Sequence, residues 1–169
     1  MLPTARCPGA PAPSRGATLS DQSLSDADRA LMPGLTALTA PDGPHVWTTL
    51  GFRLTAAEPG RASVAWEATA AYGFVTASGP VIQGGLVTAI LDAGMGAASR
   101  TYLAEDETFL TADLRVEFHR PSRPGLLVAH GTVERRTRRA YFCSAELTDT
   151  AGTVLAVSRC TNLVLPAQP

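Results

Sequence analysis

Between Val81 and Gly96 the chain reads Val-Ile-Gln-Gly-Gly-Leu-Val-Thr-Ala-Ile-Leu-Asp-Ala-Gly-Met-Gly. It is a Gly-Gly turn followed by an almost wholly apolar stretch that carries one carboxylate, Asp92. A helix that is hydrophobic all round is normally buried, and an unpaired buried carboxylate is costly or gives up its charge. Asp92 lies too deep in the segment to be an N-cap, which belongs to the first turn. An expensive acid with no local structural duty is a candidate general base or nucleophile. At the start of the same segment, Gly84 and Gly85 offer backbone N–H groups with no Cβ to hold a ligand off. The unpaired N–H groups and positive dipole end of a helix start suit a developing oxyanion. Gln83 beside them donates or accepts a hydrogen bond without adding charge. Two turns of helix rise about 10 Å, so Asp92 and Gly84 of one helix cannot share a site.

Other chemistries find little footing. His45, His119 and His130 are scattered and show no His-x-His or His-Glu-x-x-His spacing, so no metal is expected. No Gly-x-Ser-x-Gly elbow, Walker or dinucleotide glycine pattern occurs. Cys7, Cys143 and Cys160 form an odd, scattered set, read as reduced thiols of a cytoplasmic protein. If the turn between the last two strands centres near Ala151, residue 143 lies opposite 159. Cys143 and Cys160 then point to opposite faces of the sheet, which disfavours a disulfide.

The elements that must position these residues follow from periodicity. Residues 1–20 read as a flexible tail rich in Pro, Ala and Gly, without the apolar core of a signal peptide. A short helix and linker occupy 21–45, with Ser25 as cap, Asp28 three residues on and Pro33-Gly34 as stop. The compact domain spans 46–165, and 166–169 form a C-terminal tail. Phe52 to Leu54 and Ala62 to Thr69 are expected strands around a turn at Glu58-Pro59-Gly60. A loop from Ala70 to Pro80 leads into the apolar helix, about Gly85 to Leu103.

Strands follow to the end of the chain. The clearest is Asp113 to His119, where apolar and polar residues alternate strictly. A turn at Pro121 to Gly125, strands Leu126 to Glu134 and Ala140 to Leu147, a turn at Asp149 to Gly152 and a last strand, Val154 to Leu165, complete a four-strand meander. With no βαβ alternation, the expected class is α+β, an antiparallel sheet curled around one long helix. Gly94 and Gly96 each cost that helix about 1 kcal/mol relative to Ala, so a close approach by a strand or second helix should compensate.

The totals agree with one globular domain. The chain has 169 residues, 45% hydrophobic, and a net charge of −1, which argues against nucleic-acid binding. No apolar run is long enough to span a bilayer.

Gln83-Gly84-Gly85, the acid in Leu91-Asp92-Ala93 and the strand from Thr111 to Phe118 together resemble the hotdog-fold thioesterases of the phenylacetate-degradation, or PaaI-like, group. The resemblance covers about 46–165. The family pattern is His-Gly-Gly with an acid nine positions after the His. Here Gln83 takes the His position and Asp92 lies nine residues on. Many members carry an Asn six residues before the His, where this chain has Ala77. Hotdog hydratases pair the acid with a His five residues later, where this chain has Ala97.

The resemblance implies hydrolysis of an acyl-coenzyme A or acyl-carrier-protein thioester, without a cofactor, in a homodimer or a tetramer built from two dimers. Asp92 of one subunit would face the Gly84-Gly85 turn of the other. Gln83, Gly84 and Gly85 would polarise the carbonyl, and Thr111 would help hold the attacking water. Leu86 and the run Arg135, Arg136, Arg138 and Arg139 are the expected substrate contacts. The arginines either dock coenzyme A phosphates or form a solvated turn. Phe74, Val75, Met95 and Tyr102 are expected near the acyl pocket. The alternative from another class is a hotdog module that binds or senses a thioester without cleaving it.

Overall fold

The computed structural model of the chain describes residues 32–35, 38 and 45–167, without the side chain of His45. The expected tail over 1–20, the helix capped by Ser25 and Cys7 lie outside those residues. In the linker, Pro33–Leu35 is a single 3-10 turn that ends on the buried Leu35. A short helix α1, His45–Leu50, precedes strands β1, Phe52–Glu58, and β2, Arg61–Ala68. The segment read as a loop holds a small hairpin, β3, Gly73–Thr76, and β4, Gly79–Ile82. Its turn is built by Thr76 Oγ1, which donates to the Gly79 carbonyl at 2.7 Å, and by Gly79 at a φ of 104°. The long helix α2 runs from Gly84 to Arg100 and is followed by β5, Glu107–Phe118, β6, Gly125–Arg136, β7, Ala140–Thr148, and β8, Val154–Pro166.

The six long strands form one antiparallel sheet in the order β1-β2-β6-β7-β8-β5. The last four strands are therefore not a simple meander. β6, β7 and β8 follow one another, but β5 lies at the far edge beside β8, and the Pro121 to Gly125 segment crosses the sheet rather than closing a hairpin. The helix α2 touches all six strands. Its Ile90, Leu91 and Met95 are fully buried against Val64, Trp66, Leu127, Ala129 and Leu147. These inward residues recur at every second strand position, as the pleat requires.

The helix glycines are explained by the sheet. A Cβ on Gly131 of β6 would collide with the Gly94 carbonyl, and one on Gly94 would lie 3.1 Å from the Ala129 Cβ. The backbone of β6 and the helix thus approach more closely than larger residues allow.

Two β-bulges decide which side chains face α2. On β5, Thr111 pairs with Asn162 but Asp113 pairs with Thr161, so Ala112 is an extra residue. On β8, Thr148 pairs with Val154 but Leu147 pairs with Ala156, so Leu155 is extra. The turn centre expected from the sequence holds at Thr148 and Val154. Beyond Leu155 the register moves by one, and Cys143 stands directly opposite Cys160. Both are free, buried thiols on the same face, which corrects the expectation of opposite faces.

Candidate active site

The first turn of α2 is closed by its own cap. Gln83 has extended backbone angles, φ −64° and ψ 132°, and its Oε1 accepts from the Leu86 N–H at 3.1 Å. A Cβ on Gly85 would lie 2.8 Å from that oxygen, so glycine is what lets the amide fold back over the helix start. With Oε1 engaged, Nε2 is left as the donor. The cap also leaves the Gly84 and Gly85 N–H groups without an acceptor among the described residues. The strand before the turn is pinned by Ile82 N–H to the Ser122 carbonyl at 2.8 Å and by Gln83 N–H to the Tyr72 carbonyl at 3.0 Å. Beside Gly84 opens a cavity of about 500 Å³, walled by Phe74, Val81, Val87, Phe118 and Arg120.

Two turns along α2, Asp92 is not the partnerless acid expected. Thr111 Oγ1 on β5 donates to Asp92 Oδ1 at 3.2 Å. The Ala112 bulge makes this contact possible. Without it Thr111 would share the side of Asp113 and Arg115, and with it Thr111 turns toward the helix, a common use of bulges beside sites. Burial raises the Asp92 carboxyl above its ordinary 3.8, and the Thr111 hydrogen bond offsets part of that rise. The helix also departs from the expected all-round burial. Gly85, Thr88, Ala89, Asp92 and Ala93 form a stripe that the chain's own sheet leaves open or half covered.

Residues 79–156 match the family model of the thioesterase superfamily. Over that stretch, just under half of the chain, the sequence is similar to the thioesterase superfamily. No curated protein matches the chain by sequence. Among solved structures, it is similar to a phenylacetic acid degradation-related protein from Ralstonia eutropha JMP134, at 26% identity and TM-score 0.69 over 78% of this chain and 98% of that one. It is also similar to the PaaI protein of the E. coli phenylacetic acid degradation operon, at 16% identity and TM-score 0.71 over 83% and 97% of the two chains. A thioesterase from Haemophilus influenzae matches at 18% identity and TM-score 0.68, over 88% and 96%. The fold is thus the hotdog fold expected from the sequence, and the family supports thioester hydrolysis as the general reaction class.

Within this chain the residues expected to form one site do not all come together. Eight residues separate Gly84 from Asp92, a rise of about 12 Å. Leu86 is half-buried and packs partly on the core. The arginine run lies at the other end of α2. Arg136 Cζ sits 4.6 Å from the centre of the Tyr102 ring just past that helix end, and Arg135, Arg138 and Arg139 are exposed. The helix is about 25 Å long, so the arginines and Gly84 of one subunit do not meet.

Of the residues expected near an acyl pocket, Phe74 lines the cavity beside Gly84. Met95 is buried in the core, Val75 is 85% exposed, and Tyr102 packs against Tyr141 at the far end. The sequence reading missed Phe118 and Arg120. Phe118 shares its parity with Leu114 and Val116, so its inward direction was legible, but its place over Gly84 was not. Among the described residues, no cluster of His, Cys, Asp and Glu has the arrangement of a metal site, and no helix is long and apolar enough to cross a membrane.

Proposed function

We propose that the protein hydrolyses an acyl-coenzyme A or acyl-carrier-protein thioester in a site shared by two subunits. The observation that carries this reading is Asp92, held by Thr111 on the open stripe of α2, at a depth its own Gly84-Gly85 turn cannot reach. The edge strand β5 supports the pairing of subunits. It is twelve residues long, its outer row of N–H and C=O groups has no neighbouring strand among the described residues, and it exposes Leu110 and Phe118 by 64% and 55%. Such an edge is a template for another strand. A second copy on that edge would continue the sheet and bring two α2 stripes face to face.

In that arrangement the carbonyl oxygen of the thioester lies on the Gly84 and Gly85 N–H groups and the Gln83 amide of one subunit. Asp92 of the other subunit takes a proton from a water that adds to the carbonyl, the C–S bond breaks and the departing thiolate takes up that proton. Alternatively Asp92 attacks the carbonyl itself, the thiolate leaves, and water hydrolyses the resulting mixed anhydride to the free acid and restores Asp92. Helices paired in this sense run antiparallel. The arginine turn of one subunit then lies toward the Gly84 end of its neighbour, where Arg135, Arg138 and Arg139 could meet phosphates of the substrate.

A thiol-release assay over short, medium, aromatic and polyketide-like thioesters tests the reading. Release is expected from at least one of them, with Asp92→Ala reducing it by about 10²–10⁴-fold while the dimer persists. Full activity in Asp92→Ala would sink the assignment. Tight binding across the panel with no turnover would point instead to a module that binds thioesters without cleaving them.

A further inference from the structure

A second polar contact ties α2 to the sheet, and every partner in it is buried. Asn162 Nδ2 on β8 donates to Ser99 Oγ on α2 at 2.8 Å, and Cys160 Sγ donates to Asn162 Oδ1 at 3.5 Å. Ser99 Oγ lies 3.3 Å from Cys143 Sγ. Because Ser99 accepts from Asn162, its own proton is free for the sulfur. The donors then run in one direction, from Cys160 through Asn162 and Ser99 to Cys143. Asn162 and Ser99 are both fully buried. An apolar core would avoid their desolvation, and the catalytic steps above do not use them.

Their positions suggest why they are there. Asp92 and Ser99 stand two turns apart on α2 and so share one side of the helix. Thr111 and Asn162 are direct cross-strand partners on β5 and β8, and both face α2. One pair of sheet positions therefore grips two positions on the helix, Asp92 through Thr111 and Ser99 through Asn162. A rotation of α2, or a slide along its axis, would break both contacts together.

We propose that Asn162, acting through Ser99, is a positioning residue that fixes the rotation and axial register of α2 so that Asp92 meets Thr111. The proposal rests on the catalytic reading of Asp92. Ser99→Ala combined with Asn162→Leu tests it in the full chain, because replacing both polar partners by apolar groups is close to neutral for stability. Two readouts are taken, an NMR titration of the Asp92 carboxyl and the steady-state kinetics. The double variant is expected to melt near the wild type. Its Asp92 titration should move to higher pH as the Thr111 hydrogen bond is lost, and kcat should fall about ten- to a hundredfold, with KM within about twofold. Ser99→Thr with Asn162 intact, which keeps the hydroxyl, should leave both at their wild-type values.

A folded double variant with unchanged titration and kcat would overturn the proposal and leave the cluster as core polarity alone. If the double variant does not fold, Ser99→Ala alone carries the same readouts. Should the wild type cleave no thioester, the catalytic reading fails, while the titration still decides whether Asn162 places the carboxylate.

Discussion

The two halves of α2 live under opposite conditions. From Gly84 to Ala93 the helix keeps a stripe that its own sheet leaves uncovered, with free N–H groups at one end and an acid at the other. From Gly94 to Ser99 every residue is buried, and the one polar side chain there, Ser99, is hydrogen bonded. Packing is complete where nothing reacts and incomplete where the chemistry is read. The closely packed half holds the axis still, while the other half keeps a face that the chain's own sheet does not cover. The helix therefore cannot be understood from hydrophobicity alone, since both halves look equally apolar in the sequence.

The strongest way to break the contrast is Asp92→Asn. Activity should fall by about 10²–10⁴-fold, because the amide keeps the shape but cannot take a proton. Stability should move the other way. Burial holds the Asp92 carboxyl above 3.8, so the folded chain binds that proton more tightly than the unfolded chain does. The stabilisation this gives is full below 3.8 and is lost as pH rises through the folded value, leaving ionised Asp92 as a cost at neutral pH. Asp92→Asn should accordingly raise Tm near pH 7 and leave it unchanged near pH 3, as measured by calorimetry at the two values. An equal Tm at neutral pH would show that the open half carries no such strain.

A smaller effect is expected from loosening the closed half. Gly131→Ala places a methyl group against the Gly94 carbonyl. Forcing the strand and helix apart should cost about 1–3 kcal/mol, or on the order of 5 °C in Tm. If the variant melts like the wild type, the close approach of β6 to α2 is not what compensates the helix glycines.

The smallest effect sharpens the comparison at the junction of the two halves. Thr111→Val removes the hydroxyl that favours ionised Asp92, and kcat/KM should drop by about three- to tenfold. The acid limb of the pH profile should shift upward, since the hydrogen bond lowers the carboxyl value and burial would act alone. A profile that does not move would mean that Thr111 serves only its strand.

What the sequence showed and what it hid divide along a physical line. The Leu114, Val116 and Phe118 alternation identified a half-buried strand because side-chain period is a local property. It could not reveal that Ala112 is a bulge, for an extra residue leaves no mark in polarity when its neighbours are Thr111 and Asp113. The same limit explains the cysteines. The turn near Ala151 was legible, but the inserted Leu155 moved Cys160 opposite Cys143. Gln83 and Asp92 were singled out as candidates by their spacing and family resemblance, whereas the capping role of Gln83 was unexpected because it depends on the side chain folding back over Gly85.

By itself the sequence determined the antiparallel class, the one long helix and the spacing of its Gly-Gly start from Asp92, since all three follow from local pattern. Only the tertiary structure decided that β5 lies at the edge beside β8, that Thr111 turns inward, and that half of α2 stays uncovered. These depend on strand order and register, which are set by contacts between residues far apart in the chain.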